Sequence, residues 1–189
     1  MASVIIPIAN GCEELEAVTL IDLLRRADIN VVTASLDSGN IVKPVIASRG
    51  VVLIPDMTLD EAITDDYDML VLPGGLPGAD HLDNDPRIHT LLKKMSSENK
   101  YTAAICAAPK ILANAKLLEG KAATSYPGFI DNMDLENTQI KQDAVVCDDK
   151  IITSRGPATA MEFALTLIEK LKSKEKRDEV AKGLLWKDN

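Results

Sequence analysis

Short aliphatic segments alternate with amphipathic helical segments along most of this chain, and this alternation restricts the possible folds more than any other feature. The aliphatic segments are apolar at successive positions, which is typical of parallel strands buried on both faces. We therefore predict a mostly parallel sheet covered by helices on both sides, a three-layer α/β/α sandwich. The predicted strands are residues 3–9, 30–35, 68–73, 101–106 and 150–154, and the predicted helices are residues 13–27, 86–98, 108–118 and 157–172.

Two segments depart from this alternation and are predicted as antiparallel pairs. Residues 45–55 form two short strands about a turn near Arg49-Gly50. Residues 144–154 form a hairpin that turns at Asp148-Asp149. Glycine and aspartate favour such turns because both tolerate turn dihedral angles.

The first helix and the tail each carry an apolar stripe that we expect to pack on the sheet. In the first helix the predicted core stripe is Leu15, Val18, Ile21 and Leu24, at three-residue spacing. The tail, residues 173–188, is predicted as an extra C-terminal helix that packs through Val180, Leu184 and Leu185.

Length and charge restrict the class of protein. The chain has 189 residues, a net charge of −8 and 46% apolar residues, which indicates one globular domain over residues 1–189. An acidic chain is a poor match for the phosphate backbone of a nucleic acid, so we expect that nucleic acid is not the main partner. We also expect no membrane-spanning segment and no signal peptide, and three cysteines favour a reducing, cytoplasmic location.

Candidate site residues follow three of the predicted strands. The segment from Asn10 to Glu16 follows the first strand, Gly74-Gly75 follows the third, and Cys106 follows the fourth. Ligands of open parallel sheets bind just beyond the carboxyl ends of the strands. We therefore expect the functional site at this edge.

Cys106 is the most informative of these residues. A strand-to-helix turn places its sulfur beside unpaired N–H groups of the next helix, which favours the thiolate. A free cysteine is equally often a small buried apolar residue, and its position leaves both interpretations open. Gly74-Gly75 is either a tight turn or a source of N–H donors for an oxyanion.

The acidic residues that open the first helix, Glu13, Glu14 and Glu16, also leave two interpretations open. Acidic residues at a helix N-terminus are commonly stabilised by the helix dipole. Alternatively, a partly buried Glu16 near Cys106 has a raised pKa and carries the proton that the thiolate gives up. At helical spacing Glu13 and Glu16 share a face and Glu14 points elsewhere, so we expect only part of the cluster to reach a pocket.

The sequence gives little support for a metal site, a cofactor site or a conventional cysteine protease. His81 and His89 are eight residues apart with no neighbouring cysteine, so we expect no metal site. The segment around Gly74-Gly75 lacks both the phosphate loop and the dinucleotide fingerprint, so we expect no nucleotide and no other cofactor. No histidine neighbours Cys106, which disfavours a conventional cysteine protease.

Five segments together resemble the DJ-1/ThiJ/PfpI superfamily, and most closely its DJ-1/YajL branch. They are GCEELEAVTLIDLLRRA, VLPGGLPGA, AAICAAPKILA, TSYP and ITSRGPATAMEFAL, in this order over nearly the whole chain. The resemblance implies a flavodoxin-like sandwich, usually a homodimer with the first helix and the Arg49 region at the subunit boundary. It assigns the reactive cysteine to Cys106, its protonated partner to Glu16, oxyanion-binding amides to Gly75 and Ala107, and pocket positions to Gly74, Tyr126, Arg49 and Arg155, with Arg49 reaching over from the second subunit.

Two departures from the family pattern affect what can be transferred. Many members have a histidine where this chain has Tyr126, and a phenol does not shuttle protons near neutral pH as imidazole does. Ala47 and Ile54 stand where the human relative has secondary cysteines, so regulation through those thiols is absent.

The resemblance implies two main functions for the same sulfur. The first is cysteine-dependent detoxification of reactive dicarbonyls, as a glyoxalase III-like enzyme or as a deglycase acting on glycated adducts. The second is an oxidative-stress sensor and redox-regulated chaperone in which Cys106 becomes a sulfinate. A thiamine-precursor role rests on the ThiJ name alone and has no residue-level support.

Overall fold

The computed structural model describes residues 1–187 and is built on eleven strands and seven α-helices within that range. The strands are β1 Ser3–Ile8, β2 Asn30–Ser35, β3 Val45–Ile46, β4 Val52–Leu53, β5 Met57–Thr58, β6 Met69–Leu72, β7 Tyr101–Ile105, β8 Ala122–Ala123, β9 Gln139–Ile140, β10 Val145–Asp148 and β11 Ile151–Ser154. The helices are α1 Glu14–Arg26, α2 Leu59–Ala62, α3 Gly78–Asp83, α4 Pro86–Ser97, α5 Pro109–Asn114, α6 Ala160–Leu171 and α7 Lys174–Gly183.

Seven strands form the central sheet in the order β10-β11-β7-β6-β1-β2-β5. Every neighbouring pair is parallel except β10 and β11, which form the predicted antiparallel hairpin. The other predicted antiparallel pair is also present, as β3 against β4. The predicted flavodoxin-like sandwich with a mostly parallel sheet is confirmed.

Side chains of each strand alternate between two apolar layers. Val4, Ile6 and Ile8 pack in the layer that contains α1, α6 and α7, whereas Ile5 packs in the layer that contains α4 and α5. Successive residues of a strand point to opposite faces, so a strand covered on both sides is apolar throughout. This explains why the strands show no polar alternation in the sequence.

The predicted core stripe of α1 is wrong at its first positions. Leu15 is 52% exposed and Val18 is 44% exposed, while Glu14 and Glu16 are buried. The buried apolar residues of α1 are Ala17, Leu20, Leu23 and Leu24. Hydrogen bonds from neighbouring loops reach both oxygens of the Glu14 carboxyl group and one oxygen of the Glu16 carboxyl group, and this orientation of the helix leaves Leu15 and Val18 on the outer surface.

Two other helices differ from prediction in extent. The helix after Cys106 ends at Asn114 rather than at residue 118. The C-terminal helix is present, with Val180 buried and Leu184 packed against the core, but Leu185 is 87% exposed because α7 ends at Gly183 and Leu185 takes a positive φ of 57°. The predicted tail extends to Asp188, which lies outside the described residues.

Candidate functional site

Three loops meet at the carboxyl edge of the sheet because β1, β6 and β7 are neighbours in it. The first turn of α1, which follows β1, carries Glu16. Gly74 follows β6, and Cys106 follows β7 directly. The sheet order therefore brings together three residues that lie far apart in the sequence, at positions 16, 74 and 106.

Cys106 lies in a sharp strand-to-helix turn with a positive φ of 63°. Non-glycine residues rarely adopt this left-handed conformation, and such strain is common at functional sites. Its backbone is held on both sides, because its N–H donates to Ser154 O at 3.0 Å and its carbonyl accepts from Tyr126 N at 2.9 Å. The side chain is only 9% exposed.

Glu16 is fully buried and only partly satisfied. Its Oε2 accepts a hydrogen bond from Gly74 N at 2.9 Å, but among residues 1–187 its buried Oε1 has no partner of ordinary hydrogen-bond geometry. The Cys106 thiol lies close enough to this carboxyl group for each to shift the pKa of the other. A buried carboxyl oxygen without a donor points to a functional role, because native structures rarely leave such atoms unpaired.

The two glycines after β6 allow this close approach. A Cβ atom on Gly74 would lie 2.6 Å from Cys106 Cβ and 2.8 Å from Glu16 Oε2. Gly75 has a positive φ of 87°, and a Cβ atom there would lie 2.3 Å from Glu13 N. Any side chain at either position would displace the groups of the site.

Burial dominates the electrostatics of the Cys106–Glu16 pair. It raises the pKa of Glu16 to about 7, against the opposing effects of the Gly74 N–H and Cys106. Burial and the charge of an ionised Glu16 raise the pKa of Cys106 to about 12, against the N–H groups of Gly75 and Ala107. Such a pair loses its protons in two steps that belong to both groups. Ionisation of Cys106 at neutral pH therefore requires that the remaining proton lie on Glu16.

The N–H donors near the sulfur differ in part from those expected. The sequence predicts that the helix after Cys106 supplies these donors, but α5 has only six residues and begins three positions later, at Pro109. The N–H groups that act on the Cys106 thiol belong to Gly75 and Ala107. These two amides come from different loops and converge on one atom, as an oxyanion site requires.

The remaining predicted pocket residues separate into two groups. Tyr126 is bonded to the Cys106 backbone, and its ring lies edge-on to Phe129 with centroids 6.4 Å apart. Arg155 follows Ser154 and lines a cavity of about 330 Å³ beside Ser125. Arg49 instead lies exposed on the turn between β3 and β4, where its guanidinium donates to Ser48 O, and its backbone N–H donates to Glu14.

The role of Glu14 was not foreseen from the sequence. Its Oε2 accepts from the Ser48 hydroxyl at 2.8 Å and its Oε1 from Arg49 N at 2.7 Å. Burial acts to raise its pKa, but these hydrogen bonds hold the pKa below its ordinary value. Glu14 is thus buried against the β3–β4 turn while Glu16 lies beside Cys106, so the two carboxyl groups point to different places, as the helical spacing predicts. No sequence signal links Glu14 to a loop 34 residues away.

Among residues 1–187, no cluster of three or more histidine, cysteine or acidic side chains has the arrangement of a metal site. None of the helices in the described part of the chain has both the length and the apolar character needed to cross a bilayer.

Curated proteins with similar sequences carry DJ-1 names. The DJ-1/PfpI family model matches residues 2–170. Protein dj-1beta of Drosophila melanogaster is 43% identical over 183 residues, which covers 97% of this chain and 96% of the relative. Protein DJ-1 homolog A of Arabidopsis thaliana is 42% identical over 188 residues, and this chain spans 47% of that longer protein. The glutathione-independent glyoxalase DJR-1.2 of Caenorhabditis elegans is 33% identical over 172 residues, 91% of this chain and 89% of the relative.

Solved structures give the same result. The crystal structure of Drosophila melanogaster DJ-1beta is similar with a TM-score of 0.92 and 41% identity, and the match covers 99% of each chain. The structure of oxidized Toxoplasma gondii DJ-1 is similar with a TM-score of 0.92 and 38% identity over the whole of both chains.

Proposed function

The chain belongs to the DJ-1/PfpI family, and from this premise we propose that it is a cysteine-dependent enzyme that converts small reactive dicarbonyls to hydroxy acids. One observation carries the proposal: a buried Cys106 in a strained turn contacts an incompletely satisfied Glu16, and two backbone N–H groups act on its sulfur. A relative named as a glutathione-independent glyoxalase supports the reaction class.

The proposed chemistry uses only groups of this chain and water. The Cys106 thiolate adds to the aldehyde carbon of methylglyoxal, forming a C–S bond, and the N–H groups of Gly75 and Ala107 stabilise the oxyanion. Protonated Glu16 first gives its proton to the oxyanion, and the resulting carboxylate then moves a proton from the aldehyde carbon to the neighbouring carbonyl carbon, which gives a thioester of lactate. Water then cleaves the C–S bond to give lactate and the thiolate, and of the two protons released one returns to Glu16 and the other goes to solvent. Methylglyoxal and water thus become lactate and a proton, with no external oxidant.

The shared proton of the resting pair lies on Glu16 in this mechanism. The Gly75 and Ala107 amides favour negative charge on the sulfur, and a protonated Glu16 provides the O–H donor that its unpartnered oxygen otherwise lacks. The same thiolate can attack the carbonyl of an early glycation adduct, so a deglycase activity needs no further group.

The decisive experiment measures lactate produced from methylglyoxal. We expect turnover by the wild-type protein and its loss in Cys106→Ala. Cys147→Ala is the matched control, because Cys147 is exposed on β10 rather than placed beside Glu16. Absence of lactate with the wild-type protein, or full activity in Cys106→Ala, contradicts the proposal.

A second candidate function is sensing of oxidative stress, coupled to a chaperone activity. The unpartnered Glu16 oxygen supports it, because a neutral carboxyl group there can hydrogen-bond a Cys106 sulfinate and slow further oxidation. A structurally similar relative has been solved in an oxidized form. Peptide mass analysis after mild peroxide tests this function: a gain of two oxygen atoms confined to Cys106 supports it, and scattered oxidation contradicts it.

We further propose that this domain works in the cytoplasm as a homodimer. The outer face of α1 exposes Leu15 and Val18, and the β3–β4 hairpin beside it exposes Ile46, Val52 and Ile54. Val18, Leu53 and Ile54 line a common groove of about 310 Å³, so the two exposed sets adjoin. Contiguous apolar surface of this kind marks protein interfaces.

Sedimentation of Val18→Asp tests the dimer. We expect the wild type to sediment as a dimer and the variant as a monomer, because a charge cannot be buried unpaired in an apolar contact. Ile41→Asp is the control, since Ile41 is 73% exposed in the loop between β2 and β3. A monomeric wild type contradicts the proposal. Because Arg49 lies on the same hairpin, the dimer would bring it towards the second subunit.

A further inference from the structure

We propose that the cavity beside Cys106 binds an anionic group of the substrate, a carboxylate or a phosphate, so that the preferred substrates are charged 2-oxoaldehydes rather than neutral ones. This inference rests on the proposed dicarbonyl activity and names its substrate class. The cavity has a volume of about 330 Å³, and its lining includes Ser125, Pro127, Asp131, Lys141, Gln142 and Arg155.

The cavity is attached directly to the backbone of the reactive residue. Tyr126, between two lining residues, donates its N–H to the carbonyl of Cys106 at 2.9 Å. Cys106 in turn donates its N–H to Ser154, the neighbour of Arg155, at 3.0 Å. Cys106 does not line the cavity itself. We place the distal end of a substrate held at the sulfur in this space, because Ser125 and Arg155 are each adjacent in sequence to a residue that is hydrogen-bonded to the Cys106 backbone.

The charge of the lining is opposite to that of the chain. Lys141 and Arg155 contribute two cations, and Asp131 contributes one carboxylate, whose Oδ1 accepts a hydrogen bond from Gly128 N at 2.8 Å. The chain as a whole has a net charge of −8. Cations gathered beside a nucleophile on an acidic protein attract anionic substrates and repel cationic ones.

Lys141 and Arg155 differ from several other cationic side chains of the protein in their lack of ion pairs within the described residues. Lys110 and Lys121, for comparison, form ion pairs with Asp80 and with Asp148 respectively. Within the described residues, neither Lys141 nor Arg155 forms an ion pair with a side chain of the protein. Cationic side chains left without carboxylate partners beside a cavity are available to a ligand.

Lys141 is also held in place by its backbone. Its N–H donates to Ala123 O at 2.8 Å, and its carbonyl accepts from the Thr124 hydroxyl at 2.9 Å. Both bonds use main-chain atoms, so replacement of the Lys141 side chain leaves them intact. This makes Lys141→Gln a test of charge rather than of folding.

The first experiment compares charged and neutral substrates of similar size. The probes are 4,5-dioxovalerate, which carries a carboxylate, hydroxypyruvaldehyde phosphate, which carries a phosphate, and the neutral 2-oxopentanal. We expect kcat/KM to be about tenfold higher for at least one charged probe than for 2-oxopentanal. The charged probe with the higher kcat/KM identifies the preferred anionic group. The preference should weaken with added salt, because salt screens charges beyond about 8 Å at physiological ionic strength.

Variants then assign the preference to this cavity. In Lys141→Gln we expect the ratio of charged to neutral kcat/KM to fall about tenfold, and in the control Lys150→Gln we expect no change in that ratio. Lys150 lies at the opposite end of β11, over the ring of Tyr101. Equal kcat/KM for charged and neutral probes in the wild type, or an unchanged ratio in Lys141→Gln, overturns the inference.

A second measurement does not depend on turnover. Cys106 is alkylated with anionic 3-maleimidopropionate, whose carboxylate lies distal to the reacting carbon, and with neutral N-ethylmaleimide, and peptide mass analysis compares the two rates with those at exposed Cys147. A relative preference of Cys106 for the anionic reagent that Lys141→Gln removes supports the anion site, and equal preferences at the two cysteines overturn it. If no dicarbonyl reacts, the proposed dicarbonyl activity is contradicted, but the alkylation experiment still tests the anion site. Failure of the proposed function is therefore distinguishable from failure of the anion site.

Discussion

Glu14 and Glu16 lie two residues apart on α1, yet their surroundings produce opposite electrostatic behaviour. Glu14 accepts hydrogen bonds from Ser48 and Arg49, and its pKa is lowered. Glu16 accepts one bond, from Gly74, and burial raises its pKa to about 7. The comparison shows that burial alone does not make a carboxyl group functional. The number of hydrogen-bond donors around a buried carboxyl group decides whether that group stays ionised and holds a loop in place or has a pKa high enough to keep a proton.

The largest expected difference between the two residues is in catalysis. We expect Glu16→Gln to lower kcat/KM for methylglyoxal by a factor of about 10² to 10⁴, the usual contribution of a general acid–base group. Glu14→Gln should retain most of the activity, because Glu14 contacts the β3–β4 turn and not Cys106. Comparable losses in the two variants would contradict the division of roles.

The next difference is in the pH dependence of stability. The pKa of Glu16 is about 7 in the folded state, against an ordinary value of 4.5. Between those values the folded state keeps a proton that the unfolded state has lost, so stability falls as pH rises through this window. We expect a decrease on the order of 3 kcal/mol between pH 4.5 and 7.

Urea denaturation at several pH values measures this decrease, and Glu16→Gln is the matched variant. With no carboxyl group to titrate at this position, its free energy of unfolding should vary much less over the same range. The contribution of Glu14 to stability changes with pH in the opposite direction, because a group with a lowered pKa contributes stability that is lost as pH falls through that pKa. A wild type that becomes more stable as pH rises from 4.5 to 7 would reject the Glu16 assignment.

A smaller effect is expected on stability when Glu14 is removed. Glu14→Ala leaves the Ser48 hydroxyl and the Arg49 N–H without their acceptor, so we expect a loss of about 1 to 3 kcal/mol in the free energy of unfolding. Thermal or urea denaturation at pH 7 measures it. Ser48→Ala is a useful companion, since it removes only one of these bonds, and its loss should be smaller. Unchanged stability in Glu14→Ala would show that the β3–β4 turn does not depend on this carboxylate.

The smallest expected effect is on the thiol pKa. If the shared proton lies on Glu16, then Glu16→Gln removes an O–H donor to the thiolate, and we expect the pKa of Cys106 to rise by about one unit, or 1.4 kcal/mol. The rate of Cys106 alkylation as a function of pH measures it, and Glu14→Gln should match the wild type. A fall of the Cys106 pKa in Glu16→Gln would place the proton on the sulfur and contradict the proposed mechanism.

The fold was largely predictable because its determinants are local. Continuous apolar strands, helical spacing and turn residues each act over a few positions, and they located the central strands and both antiparallel pairs to within about two residues. The shortest elements were missed. β5, α2 and α3 have two, four and six residues, too few for a period to be recognised.

The candidate site was only partly predictable. The strand pattern placed Gly74 and Cys106 at one edge of the sheet, because each follows a parallel strand directly. It did not select Glu16 from three neighbouring glutamates, and that assignment came from the family resemblance. The apolar spacing of α1 also predicted the wrong buried face for its first turns, since Leu15 and Val18 are exposed.

The sequence by itself determined the order of the elements, the sandwich architecture and the position of Cys106 at a strand end. These follow from hydrophobic pattern and from backbone preferences, which each segment carries alone. Only the tertiary structure decided which glutamate meets the sulfur, which one fastens a turn, and where unpaired cations collect. Those outcomes depend on hydrogen-bond donors that distant loops bring to a helix. The apolar spacing within a helix does not reveal which loops will contact it.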